Sequence, residues 1–146
     1  YPLSCFEEAL KKLQAIDIPV VVHVILGLPG ETKTDMLATI NYLNHCPIWG
    51  IKLQMLHFLK DTDLGTLYQE NPEHFNTFKS MDTYLELLMD TLTHLRPDIV
   101  IHRLTGDAPR KLLLAPLWST DKRQIFNLLH KRMKEQSAYQ GQHLLS

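Results

Sequence analysis

A chain of 146 residues and 16.9 kDa has the size of one domain and can bury a sizeable core. With 45% hydrophobic residues, 21% charged residues and a net charge of -1, it has no basic footprint for nucleic acid or an anionic membrane. No apolar run approaches the roughly 20 residues that span a bilayer, and Cys5 and Cys46 match neither a zinc nor an iron–sulfur spacing, which reads as a reduced, cytoplasmic protein.

The chain opens on "YPLSCFEEAL", without initiator methionine or signal peptide, and reads as a piece of something longer. Ser4 with Glu7 forms a capping-box pattern, and Phe6, Leu10, Leu13 and Ile16 recur at helical spacing. "IPVVVHVIL" is apolar and β-branched, with Pro19 at its start, and predicts a strand buried on both faces. Thr32 or Thr34 caps the next helix, whose stripe is Leu37, Ile40 and Leu43 before Pro47 stops it. "WGIKLQMLHF" is the second strand, and Asp61 to Glu70 reads as a loop with a short helical turn. Ser80 opens a third helix carrying Leu85, Leu88, Met89, Leu92 and Leu95, which Pro97 ends before the strand "DIVIHRL". "TGDAPR" is a loop and "KLLLAPLW" is ambiguous. Ser119 or Thr120 begins a last amphipathic helix to about Gln136, and the aperiodic tail "SAYQGQHLLS" reads as mobile.

Strands alternating with helices imply an α/β fold of right-handed βαβ units on a parallel sheet. So few strands make a poor sheet alone, so the expected completion is a (β/α) barrel whose earlier strands precede Tyr1. The loops after the strands, "GLPGET", "FLKDTDLG" and "TGDAPR", lie on the functional face of such a fold. Strand parity puts Val20, Val22 and Val24 on one wall and Val21, His23 and Ile25 on the other. It also separates Ile51, Leu53 and Met55 from Lys52, Gln54 and Leu56. With helices outside, His23, Lys52 and Gln54 face inward, and their polarity calls for a hollow, ligand-holding interior. Each alone reads equally as a core or edge residue. Either His102 or Arg103 faces inward as well.

"GLPGET" is neither a phosphate loop nor a dinucleotide fingerprint. Gly27 permits close backbone approach, Pro29 fixes the turn and Gly30 allows positive φ. Such a corner suits a flat polar ligand such as a nucleobase edge, although the motif alone equally describes a tight turn. His102, Arg103 and Asp107 form a candidate proton-transfer or anion-binding set, with His57 expected in the same layer. No nucleophile elbow or zinc-protease motif occurs.

Together, "HVILGLPGET", "GIKLQMLHFLKDTDL", "IVIHRLTGDAP" and "LLLAPLWSTDKR" resemble the C-terminal half of a radical S-adenosylmethionine (SAM) protein of the uncharacterised bacterial YhcC/YtqA-type group. The resemblance runs from Tyr1 to about Gln142. It implies the C-terminal portion of a partial (β/α)6 barrel at residues 1-118, followed by a helix and tail at 119-146. It also implies a [4Fe–4S] cluster on a C-x-x-x-C-x-x-C loop, absent from this chain and therefore upstream of it; no metal ligand is expected here. His23, Ile25, Leu26, Gly27, Gly30, Gln54, Leu56 and His57 are the implied contacts of the cofactor's adenine. Many members use G-x-I-x-G-x-x-E at the first corner; here His23 replaces the first glycine and Glu31 comes one position late. His102, Arg103 and Asp107 are the implied substrate contacts. The intact protein would cleave SAM to a 5′-deoxyadenosyl radical and abstract hydrogen from a substrate the residues do not name. Two rivals stand beside this reading: a non-catalytic α/β module binding a nucleotide or partner, and a hydrolase or lyase using His57, His102 and Asp107. A severed barrel also exposes a strand edge, so self-association of the fragment is expected.

Overall fold

A computed structural model describes residues 2–75 and 78–144. Three parallel strands form the main sheet in the order β1 (Val21–Leu26), β2 (Gly50–Met55), β4 (Val100–Arg103). Helices α2 (Lys33–Asn44) and α4 (Met81–His94) make the two crossovers. A second, antiparallel pair joins β3 (Phe58–Leu59) to β5 (Leu113–Ala115). Helix α1 (Leu3–Gln14) precedes β1, α3 (Asp63–Glu70) follows β3, and α5 (Lys122–Glu135) closes the chain.

The core lies between the sheet and its helices. Ile51, Leu53 and Met55 point from β2 to this side and are fully buried, as are Ile40 of α2 and Leu85 and Leu88 of α4. Helix α5 adds Ile125 and Leu129 to the same cluster. The opposite face of the sheet is bare: His23 and Ile25 are exposed, and Lys52 and Gln54 are half-buried. Parallel sheets are ordinarily covered on both faces, so the expectation of a strand buried on both sides fails for β1. One face simply has no partner among the described residues.

Several local expectations change. Helix α1 starts at Leu3 behind Pro2, without a side-chain cap, so the Ser4–Glu7 capping box does not form. Glu7 instead accepts a bond from the Tyr42 hydroxyl at 2.9 Å. Of the expected α1 stripe only Leu10 is buried, and Ile16 is 65% exposed. Met36 replaces Leu37 in the buried stripe of α2. Asp63–Glu70 is a full helix capped by the Thr62 hydroxyl, a cap whose apolar follow-through is too short to announce itself.

The tail does not hang free. Gly141 N donates to Leu92 O at 3.0 Å and His143 N to Thr93 O at 2.8 Å. Gln140 donates to the carbonyls of Arg96 and Ile99. The first two bonds reach the last turn of α4, and Gln140 ties the tail to the segment between α4 and β4. The last two residues of the tail, 145–146, lie outside the described set.

Candidate functional site

The bare face is built in rows by the strand register. His23 pairs with Lys52, and Lys52 with Arg103, so three basic side chains lie side by side across the sheet. Ile25 pairs with Gln54 one row nearer the C-terminal ends. A register shift between Ile51 and Lys52 leaves His102 as the extra residue of β4. His102 therefore faces the bare side too, its ring 2.7 Å from where a Cβ on Gly50 would stand. The choice between His102 and Arg103 is resolved by the bulge: both face the open side.

That same placement separates the histidines. His102 packs edge-on against Trp49, with ring centroids 5.0 Å apart, at the start of β2. His57 lies beyond the other end of that strand. By the strand register His102 stands level with the Ile51–Lys52 step, well before His57, so the two do not share one layer of the sheet.

The first corner is tight in the way its sequence foretells. Gly27 and Gly30 both have positive φ, near 80°. A Cβ on Gly27 would meet the Phe78 ring at 2.8 Å. The expected bare main chain is not found, however. The Glu31 carboxylate accepts from Gly27 N at 3.2 Å and Leu28 N at 3.0 Å, folding the late acid back onto the turn. Leu26 is buried on the helix side, and its carbonyl accepts from Leu56 N at 2.9 Å. Leu56 itself packs in the small cluster with Phe58 and Ala115. Of the residues expected here, only Ile25, His23 and Gln54 present side chains to the open face.

His57 is the most closely fixed polar group at the C-terminal end of the sheet. Its Nε2 lies 3.1 Å from Ser119 Oγ, and that hydroxyl donates to Pro116 O at 2.7 Å. A hydroxyl has one proton, and the Pro116 carbonyl can only accept. Nε2 therefore carries the imidazole proton and donates to Ser119, leaving Nδ1 as an acceptor. A Cβ on Gly106 would lie 2.3 Å from His57 Cε1 and 3.4 Å from Gln54 Oε1, so the loop after β4 presses on both side chains. Burial, together with the positive charge of Lys122, lowers the His57 pKa below its usual 6.5 and favours this neutral form. Asp107 receives Arg103 at 3.5 Å and also pairs with Lys122. Arg103, Asp107, Gln54 and His57 thus meet where β2 and β4 end, while His102 stands apart.

Ser119 and Lys122 are the members of this group that sequence reasoning passed over. Both looked like the start of an amphipathic helix, and nothing local marks Ser119 as a histidine partner 62 positions away.

Residues 48–135 match the Radical_SAM C-terminal domain. The chain belongs to this radical SAM family. It is 33% identical over 141 residues to the uncharacterized protein YtqA of Bacillus subtilis, covering 97% of this chain and 43% of that protein. YhcC of Escherichia coli K12 is 26% identical over 122 residues, with 84% and 38% covered. The chain thus spans about two fifths of the length of these relatives. Among solved structures, the archaeal Elp3 of Methanocaldococcus infernus with an N-terminal deletion superposes with a TM-score of 0.72 at 16% identity, over 92% of this chain and 32% of that one. The shared feature there is the α/β fold of parallel strands and helices.

The radical SAM segment seen here does not itself fit an iron–sulfur cluster. Cys5 is exposed on α1, and buried Cys46 directs its thiol to Tyr42 O. Among the described residues, no group of three histidine, cysteine or acidic side chains could hold a metal ion.

Proposed function

We propose that this chain is the C-terminal part of a radical SAM enzyme, in which the bare face of β1, β2 and β4 lines the lumen of a partial (β/α)6 barrel. The supporting observation is the one-sided parallel sheet: helices and aliphatics on one face, His23, Ile25, Lys52, Gln54 and Arg103 open on the other. Ile16 and Ile18, in the segment between α1 and β1, are also exposed and ask for an apolar neighbour in the same way. The adenine of SAM lies on this reading against Ile25, Gln54 and the backbone around Leu26 to Gly30, with Leu56 and His57 beside it. His102, Arg103 and Asp107 face the substrate side, Arg103 and Asp107 nearest to His57. The cluster ligands belong to residues outside this chain. When bound by the intact protein, cluster and cofactor would supply radical hydrogen-abstraction chemistry. The chain's own residues orient the two reactants and exclude water.

The cytoplasm is the compartment we propose, since Cys5 and Cys46 are both free thiols. Among the described residues, no helix is long and apolar enough to cross a membrane.

Anaerobic iron–sulfide reconstitution of the full-length protein, reduced in the presence of SAM, tests this reading. Brown iron–sulfur absorbance together with release of 5′-deoxyadenosine is the expected result. Absence of both overturns it. A second reading is a non-catalytic nucleotide- or partner-binding module. That module binds SAM or adenosine without cleaving it.

A further inference from the structure

A cavity of about 460 Å3 opens where the loop after β4 meets the start of α5. Its wall carries Arg110, Lys122 and Arg123, with Asp107 and Asp121 as the only acids. Both acids are already engaged. Asp107 is shared by Arg103 and Lys122, and Asp121 Oδ1 accepts from Gln124 N at 3.1 Å. The cations are less well served. Arg110 reaches only the Thr120 carbonyl, at 3.5 Å, and Arg123 has no partner among the described residues. Arg103 also ends the row that runs through Lys52 to His23 on the open face. Lys52 and Arg103 are like charges opposed across neighbouring strands, and one carboxylate, Asp107, is divided between Arg103 and Lys122, so the cavity wall carries more positive charge than its acids offset.

We propose that this cavity binds the phosphate group of a small phosphorylated substrate, held by Arg110, Lys122 and Arg123. Guanidinium groups match the oxygen geometry of phosphate and bind it through paired charge-assisted hydrogen bonds. The cavity takes one compact group, and the chain lacks the broad basic surface that a nucleic-acid backbone requires. The substrate assignment rests on the reading above, which makes this end of the sheet the reaction face. The cavity adjoins His57 through Gly106 and Lys122, so a bound phosphate sits beside the proposed adenosyl site.

The site can be tested without cluster or cofactor, by adding inorganic phosphate to the full-length protein and following backbone amides by NMR. We expect saturable shifts at Gly106 and Arg123, and none from chloride at equal ionic strength. Arg110→Ser with Arg123→Ser is expected to weaken binding about tenfold or more. Both side chains are exposed, so the double variant keeps the fold, and phosphate should raise the melting temperature of the parent alone. His57 supplies an independent readout: phosphate neutralises Lys122, so its titration midpoint moves upward in the parent and not in the double variant. Non-saturating shifts, equal shifts from chloride, or binding indifferent to both substitutions overturn the proposal. So does tight binding of a short single-stranded oligonucleotide without saturable binding of phosphate. Loss of phosphate binding with SAM cleavage intact removes this inference alone, and the reverse result removes the radical SAM mechanism alone.

Discussion

At the scale of single residues, His57 and Gly27 carry the most specific chemistry. The neutral His57 has consequences for stability. Its folded pKa lies below the ordinary 6.5, so the unfolded chain takes up a proton first as pH falls. The stability it contributes is therefore complete above 6.5 and declines as pH drops from there toward the lowered folded value. Chemical denaturation between pH 7.5 and 5 should show this decline. His57→Gln should flatten it, and an unchanged slope would mean that other groups dominate. Gly27 is constrained twice, by its positive φ and by the Phe78 ring. Gly27→Ala should cost about 1–3 kcal/mol in a urea titration. Both residues were singled out by sequence reasoning, His57 by its place after a strand and Gly27 by its turn. Their partners were not, because Ser119 and Phe78 reach them only through the fold.

At the scale of elements, a hydroxyl followed by an acid marked the start of α2 but not that of α1, where Ser4 and Glu7 form no box. Thr32 accepts from Asp35 N at 3.3 Å, and Asp35 Oδ2 accepts from Thr32 N at 2.8 Å, completing a capping box; the Thr32 hydroxyl, donating to the same carboxylate at 2.6 Å, and then the Thr32 amide hold the Asp35 carboxyl below its usual pKa. Thr32→Ala should lower the melting temperature by a few degrees. An unchanged melting curve would show that α2 is fixed by its packing alone. Helix α4 is buried on most of its circumference, through Tyr84, Leu85, Leu88 and Leu92 among others, and its strong apolar period made it legible. The tail shows the opposite case. Its Gly, Gln and His residues have no period, yet they close the C-terminal end of α4 by backbone and amide bonds. Hydrogen bonds of this kind depend on where the acceptors stand, not on a pattern in the donor segment.

For the whole molecule, the dominant fact is a parallel sheet covered on one side only. Strand β1 is an edge among the described residues, with its outer backbone groups unpaired. Its open face carries Ile25 at 38% exposure and Val100 at 42%. On the reading proposed here this isolated chain should self-associate, and sedimentation velocity should show dimers or larger species at micromolar concentration. A monodisperse monomer across that range would show that the uncovered face tolerates water. Joining the chain to the preceding half of a YtqA-like protein should abolish the association, since that half would supply the missing strands.

The sequence by itself determined the alternation of strands and helices, the wall of aliphatics turned to the helices and the polar parity turned away from them. Those follow from periodicity and turn chemistry, which are local. Tertiary structure decided what lies beside what. The bulge in β4 turned both His102 and Arg103 to the open face and left His102 out of the layer that holds His57. The return of the Glu31 carboxylate filled a corner that looked open, and the loop after β4 brought Asp107 to Lys122. Each depends on distances between segments remote in the chain, which no local pattern encodes.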